Sequence, residues 1–97
     1  MPTFVTLIKW TDQGVRNVKD TTKRYRQALA LVEKMGVKER SIFWTIGQYD
    51  IVFIVDAPDQ ETVAAAMLAV ASKGNVRTEI LPAYSVDEVE GILKKMP

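Results

Sequence analysis

The stretch TIGQYDIVFIVDAPD, residues 45–59, sets five uninterrupted apolar residues, Ile51–Val55, directly behind a glycine, a tyrosine and an aspartate. A short apolar run rich in β-branched and aromatic residues, bounded by turn formers, reads as a strand buried on both faces. A sheet with one face in water would instead alternate apolar and polar residues. The opening segment TFVTLIK, residues 3–9, behaves the same way: Phe4, Val5, Leu7 and Ile8 are interrupted only by Thr6. Two strands that are apolar on both sides need a sheet covered on both sides, and that requirement decides the fold.

Working outward, Ser41–Ile46 alternates Ile42, Trp44 and Ile46 against Ser41, Phe43 and Thr45, which predicts a second strand. Its short join to Ile51–Val55 makes an antiparallel hairpin, and Gly47-Gln48 fits a two-residue type II′ turn. Tyr25, Ala28, Leu29, Val32 and Met35 recur at helical spacing and predict a helix over Thr21–Met35. Asp20 or Thr21 can cap its start, and Gly36 suits its end. A second helix runs from an Asp59 cap to about Ser72 and is stopped by Gly74, and Val76–Ala83 is the fourth strand. Ser85-Val-Asp-Glu88 is a capping-box pattern. It opens a short C-terminal helix with Val86, Val89, Ile92, Leu93 and Met96 on one face. Between the first strand and the first helix, Trp10-Thr-Asp-Gln-Gly14 reads as a polar turn.

The order is β-α-β-β-α-β with a tail helix, an α+β ferredoxin-like arrangement in one domain spanning residues 1–97. Right-handed crossovers put both helices on one face of a four-stranded antiparallel sheet, with the first and third strands central. The third strand is expected to run parallel to the first. That would place Tyr49 and Asp50 at the opposite end from the Asp12-Gln13-Gly14 loop. The face without helices stays apolar, and the economical cover is a second copy of the chain packed sheet to sheet. The expected assembly is therefore a homodimer, or a larger homo-oligomer built on it, forming a dimeric α/β barrel. The alternative is a monomer whose C-terminal helix folds back over the face.

Composition bounds the chemistry. With no histidine and no cysteine, the chain lacks disulfides, thiolate nucleophiles, Cys- or His-ligated metals and Ser-His or Cys-His catalysis. No carboxylate loop with calcium-binding spacing is present. No catalytic residue, metal ligand or cofactor is assigned. The longest apolar run, Val63–Ala71, is too short to span a bilayer, and MPTFVTLIKW has no signal-peptide design, so a cytoplasmic location is expected. A net charge of +1 gives no general attraction to nucleic acid, and Lys19, Lys23, Arg24 and Arg26 read as a solvated helix face.

TFVTLIKWTDQGVRNVKD, the central GQYD and the later GNVRTEILPAYS together resemble the GYD-domain family of small bacterial proteins. That resemblance implies the ferredoxin-like dimeric α/β barrel and no established biochemical activity. TIGQYDIVFIVDAPDQETV with GNVRTEI also resembles, more distantly, the effector-binding domain of Lrp/AsnC-type regulators, whose Gly-x-Tyr-Asp hairpin lies near an inter-dimer cleft for amino acids. The DNA-binding helix-turn-helix of those regulators is missing here.

Four residues are candidates for ligand binding: Gly47, Tyr49, Asp50 and Arg77. Gly47 lets a ligand approach the backbone, or simply makes the turn. Tyr49 pairs an apolar ring with a polar tip. Asp50, at the mouth of an apolar strand, must be solvated, paired with Arg77, satisfied by the N–H groups of a nearby turn, or bound to a ligand. Arg77 can hold a carboxylate. The functional expectation is a binding or sensing module for a small polar, amino-acid-like metabolite. The alternatives are a purely structural or assembly protein and a cofactor-free oxygenase using Trp10, Trp44, Tyr49 and Asp50.

Overall fold

The structure, a computed structural model, describes residues Met1–Pro97. The chain runs β1 (Thr3–Trp10), α1 (Asp12–Arg16), a 3-10 turn (Val18–Asp20), α2 (Thr21–Lys34), β2 (Lys38–Trp44), β3 (Ile51–Asp56), α3 (Gln60–Ala71), β4 (Val76–Ala83) and α4 (Val86–Leu93). The four strands form one sheet in the order β2-β3-β1-β4, the expected ferredoxin-like arrangement. No helix is long and apolar enough to cross a membrane.

Every neighbouring strand pair is antiparallel, including β1 with β3, where Ile8 stands opposite Ile51 and Thr3 opposite Asp56. This corrects the expected parallel β1–β3 pair. A crossover through α2 makes β2 parallel to β1 but leaves a gap between them. The hairpin partner of β2 fills that gap, so β3 must run against both. The consequence is that the start of β3, with Asp50, meets the end of β1 at Ile8 and Trp10.

Alternation along the strands sorts the core. Phe4, Ile8, Ile51, Phe53 and Val55 turn to one side and pack with Val32 of α2 and Val63, Ala66 and Met67 of α3. Thr6, the one polar residue in this layer, is fully buried and donates its hydroxyl to Phe53 O at 2.6 Å. Gly36, just past α2, has φ +93°, the left-handed conformation that ends a helix at low cost when no Cβ is present. Asp59 caps α3 by accepting from Thr62 N at 2.7 Å, and the Ser85–Glu88 capping box opens α4 as its sequence pattern requires. The expected Asp20 or Thr21 cap is not made by a side chain; α2 continues out of the 3-10 turn.

Two other expectations change. The Trp10–Gly14 turn is a short helix, α1, whose cap is the Thr11 hydroxyl accepting from Gly14 N at 3.1 Å. Gly14 is buried because this helix lies against the α3–β4 turn. The second strand spans Lys38–Trp44 rather than Ser41–Ile46, with a register irregularity between Glu39 and Ser41. Its connection to β3 is correspondingly longer than a two-residue turn.

A Cβ on Gly14 would sit 2.0 Å from the Asn75 carbonyl oxygen. Gly14→Ala should therefore lower stability by roughly 1–3 kcal/mol, as overpacking of backbone against backbone does. Gly91→Ala, which meets nothing within 4 Å, should not. Urea unfolding of both variants checks the difference.

Candidate functional site

Asp50 holds three strands together. Its main-chain N–H donates to Ile8 O at 2.9 Å, and its carbonyl accepts from Thr45 N at 2.8 Å. Its carboxylate Oδ2 accepts from the main-chain N–H of Trp10 at 2.8 Å. The β1–β3 register ends at Ile8–Ile51, so Trp10 lies beyond the reach of the β3 backbone, and the aspartate side chain takes over as its acceptor. The partner of Asp50 is therefore the end of its own first strand and not Arg77.

The hairpin tip fits this arrangement. Thr45 donates its hydroxyl to Tyr49 O at 2.6 Å, closing a loop over Ile46–Tyr49. Gly47 lies at its exposed crest with φ +153°, a conformation that L side chains rarely adopt, and nothing lies within 4 Å of where a Cβ would be. The glycine is needed for the backbone path and not for a close neighbour. Ile46 beside it is fully exposed.

Tyr49 and Arg77 belong to the sheet face that carries no helix. Val5, Leu7, Val52, Ile54, Phe43 and Leu81 share that face by register. Phe43 is 58% and Leu81 43% exposed, so nothing in the chain covers the edges of the face. At one end Tyr49 lies across β1: Lys9 Nζ is 5.3 Å from its ring centroid, and its hydroxyl donates to Glu79 Oε2 at 3.1 Å. That hydrogen bond, with smaller contributions from desolvation and the Glu79 charge, holds the phenol above its ordinary pKa. Arg77 stands opposite Lys9, and the chain's one salt bridge, Arg40–Asp56 at 3.7 Å, lies elsewhere. Of the four candidates, Tyr49 and Arg77 are thus brought to a polar rim with Lys9 and Glu79. Gly47 stays at the tip, and the carboxylate of Asp50 is engaged within the chain.

The helix side holds groups that the sequence marked only in part. Trp44 is held by an Nε1–H donated to Thr21 Oγ1 at 3.0 Å and by an edge-on contact with Tyr25, 5.6 Å between ring centroids. Tyr25 donates to Glu39, and that hydrogen bond, followed by desolvation and the Glu39 charge, raises its pKa to about 12. Arg24, half-buried on the otherwise exposed basic face, donates to the carbonyls of Asn17 and Gly14 at 2.6 and 3.1 Å. Trp10 has a buried Nε1–H with no acceptor in the chain. Its need for one was readable from the sequence, but the cavity it lines with Arg24 and Asn75 was not, because these residues come from separate segments. No group of three or more Asp or Glu side chains gathers where a metal ion could be held.

Asp50→Ala removes the acceptor of a part-buried main-chain N–H and should cost about 1–3 kcal/mol. Asp50→Asn keeps an acceptor oxygen and should lose only a fraction of that. Denaturant unfolding of the two variants measures the difference, and equal losses would show that the Trp10 bond is not what the residue supplies.

Comparison with known proteins agrees with this architecture. A protein of Thermus thermophilus, described as "Glutamine synthetase and cystathionine beta-lyase binding protein", is 37% identical over 95 residues, covering 97% of this chain and all of the relative. The crystal structure of TTHA0845, also from Thermus thermophilus, superimposes with a TM-score of 0.57 at 22% identity, over 89% of this chain and 96% of that one, a likeness of fold. The GYD domain model matches residues 4–93. The chain belongs to the GYD domain family.

Proposed function

We propose that the chain is a non-catalytic binding module that acts as a homo-oligomer in the cytoplasm and docks on a metabolic enzyme. The observation that carries this reading is the uncovered sheet face, where β1 and β3 present Val5, Leu7, Val52 and Ile54 between exposed Phe43 and Leu81. A contiguous apolar surface ringed by polar side chains is the form of a protein interface. Lys9, Tyr49, Arg77 and Glu79 make that polar rim at one end. A second copy supplies a self-complementary cover with two-fold symmetry.

The C-terminal helix supports an intermolecular cover. Every residue from Tyr84 to Pro97 is exposed, including the whole apolar stripe of α4. The radius of gyration, 14.6 Å, exceeds the roughly 12.5 Å of a compact chain of this length. The helix does not lie over its own sheet, so its stripe is available to a partner. The class of partner is suggested by the relative whose description names two metabolic enzymes that it binds.

The rival readings have less support. An amino-acid-like ligand held by Tyr49, Asp50 and Arg77 would have to share the Asp50 carboxylate with Trp10 N–H, which already occupies its Oδ2. An oxygenase built on Trp10, Trp44, Tyr49 and Asp50 would need these groups around one space. Tyr49 lies on the bare face, whereas Trp44 bonds Thr21 on the helix side.

Size-exclusion chromatography with light scattering at micromolar concentration should return a multiple of the 10.9 kDa chain mass. Ile54→Lys, in the middle of the bare face, should return the single-chain mass with unchanged circular dichroism. Biosensor titrations with purified glutamine synthetase and cystathionine beta-lyase should show saturable binding of the wild type. A monomeric wild type, or no binding to either enzyme at micromolar levels, overturns the corresponding half of the reading.

A further inference from the structure

The helix side of the sheet holds a second feature, independent of the bare face. Helices α2 and α3 part above the sheet and leave a cavity of about 390 Å³. That is within the range of small-molecule sites, roughly 300–1,000 Å³. Its deep part is apolar, with Ile51 and Phe53 as floor and Val32, Met67 and Val70 as walls. Its polar lining includes Trp10, Arg24 and Asn75, together with Thr21, Tyr25, Gln27 and Lys73. Trp10 and Asn75 are held together by the latch between α1 and the α3–β4 turn, where Thr11 N donates to Asn75 O at 3.0 Å and Thr11 Oγ1 to Gly74 O at 2.6 Å.

Two details define what would fit. The Trp10 Nε1–H is buried with no acceptor in the chain, a donor that a ligand oxygen would satisfy. The Arg24 guanidinium is held in place by two neutral carbonyls, so its orientation is set while no carboxylate lies within ion-pair distance of it. Lys73, exposed on the α3–β4 turn, also lines the cavity. A neutral hydrocarbon would leave the indole N–H orphaned, and a fully polar molecule would waste the apolar depth.

We propose that this cavity binds a small hydrophobic carboxylate, an aryl- or alkyl-carboxylic acid. Its apolar body fills the space between α2 and α3, and its carboxylate meets the Trp10 indole N–H on the side of the Arg24 guanidinium. The site is formed within one chain, so it does not depend on self-association or on an enzyme partner. Failure of either would leave it standing, and its own failure would leave them untouched.

Trp44→Phe leaves Trp10 as the sole tryptophan and reporter. In that protein, 3-phenylpropionate and octanoate should each produce a saturable change in Trp10 emission. The neutral 3-phenylpropanamide should bind about tenfold more weakly, the loss of a charge-assisted contact. Calorimetry on Trp10→Phe should show weakened binding of the acid, and Ala28→Phe, which fills the cavity wall, should abolish it while circular dichroism stays native. No saturable response to either acid at millimolar concentration in folded protein overturns the proposal. Equal affinity for acid and amide, or undiminished binding in Ala28→Phe, does so as well.

Discussion

Both crossover helices lie on one side of the sheet, so β1 and β3, apolar on both faces, are covered on one face only. The handedness of the crossovers leaves no alternative, since both α2 and α3 must return over the same side. The covered side becomes the core, built from the even positions of β1 and the odd positions of β3. The other side keeps Val5, Leu7, Val52 and Ile54 only partly buried between exposed Phe43 and Leu81. The polar rim and the proposed assembly both follow from this single asymmetry.

Asp50 shows how the hairpin is tied into that sheet. Where the β1–β3 register runs out, a carboxylate replaces a backbone carbonyl as the acceptor for Trp10 N–H. A carboxylate suits the task because a charged acceptor makes a stronger hydrogen bond than a neutral one. The adjacent Gly47 and Thr45 shape the loop that delivers it. The Gly-x-Tyr-Asp element therefore divides its labour: glycine for the tip, tyrosine for the bare face, aspartate for the strand end.

The sequence carried the element order because each element has a local signature. The Ser85–Glu88 box, the Asp59 cap and Gly36 act within a few residues of themselves, and each is seen in place. The two-faced strands likewise announced an uncovered sheet. What local pattern could not supply was direction and convergence. The antiparallel β1–β3 pair follows only once the hairpin is placed in the gap between β1 and β2, and that placement moved Asp50 next to Trp10. Gly14 looked like a turn former, yet its smallness serves an approach to Asn75, far away in the chain. The grouping of Trp10, Arg24 and Asn75 around one cavity has no linear spacing to read.

The central claim is that the helix-free face of the sheet is an interface. Side-chain labelling by hydroxyl radicals, followed across protein concentration, tests it residue by residue. Leu7, Phe43 and Leu81 should become protected as concentration rises from nanomolar to micromolar, whereas Leu68, exposed on the outer side of α3, should stay equally reactive. Labelling of Phe43 and Leu81 that is the same at every concentration would contradict the claim.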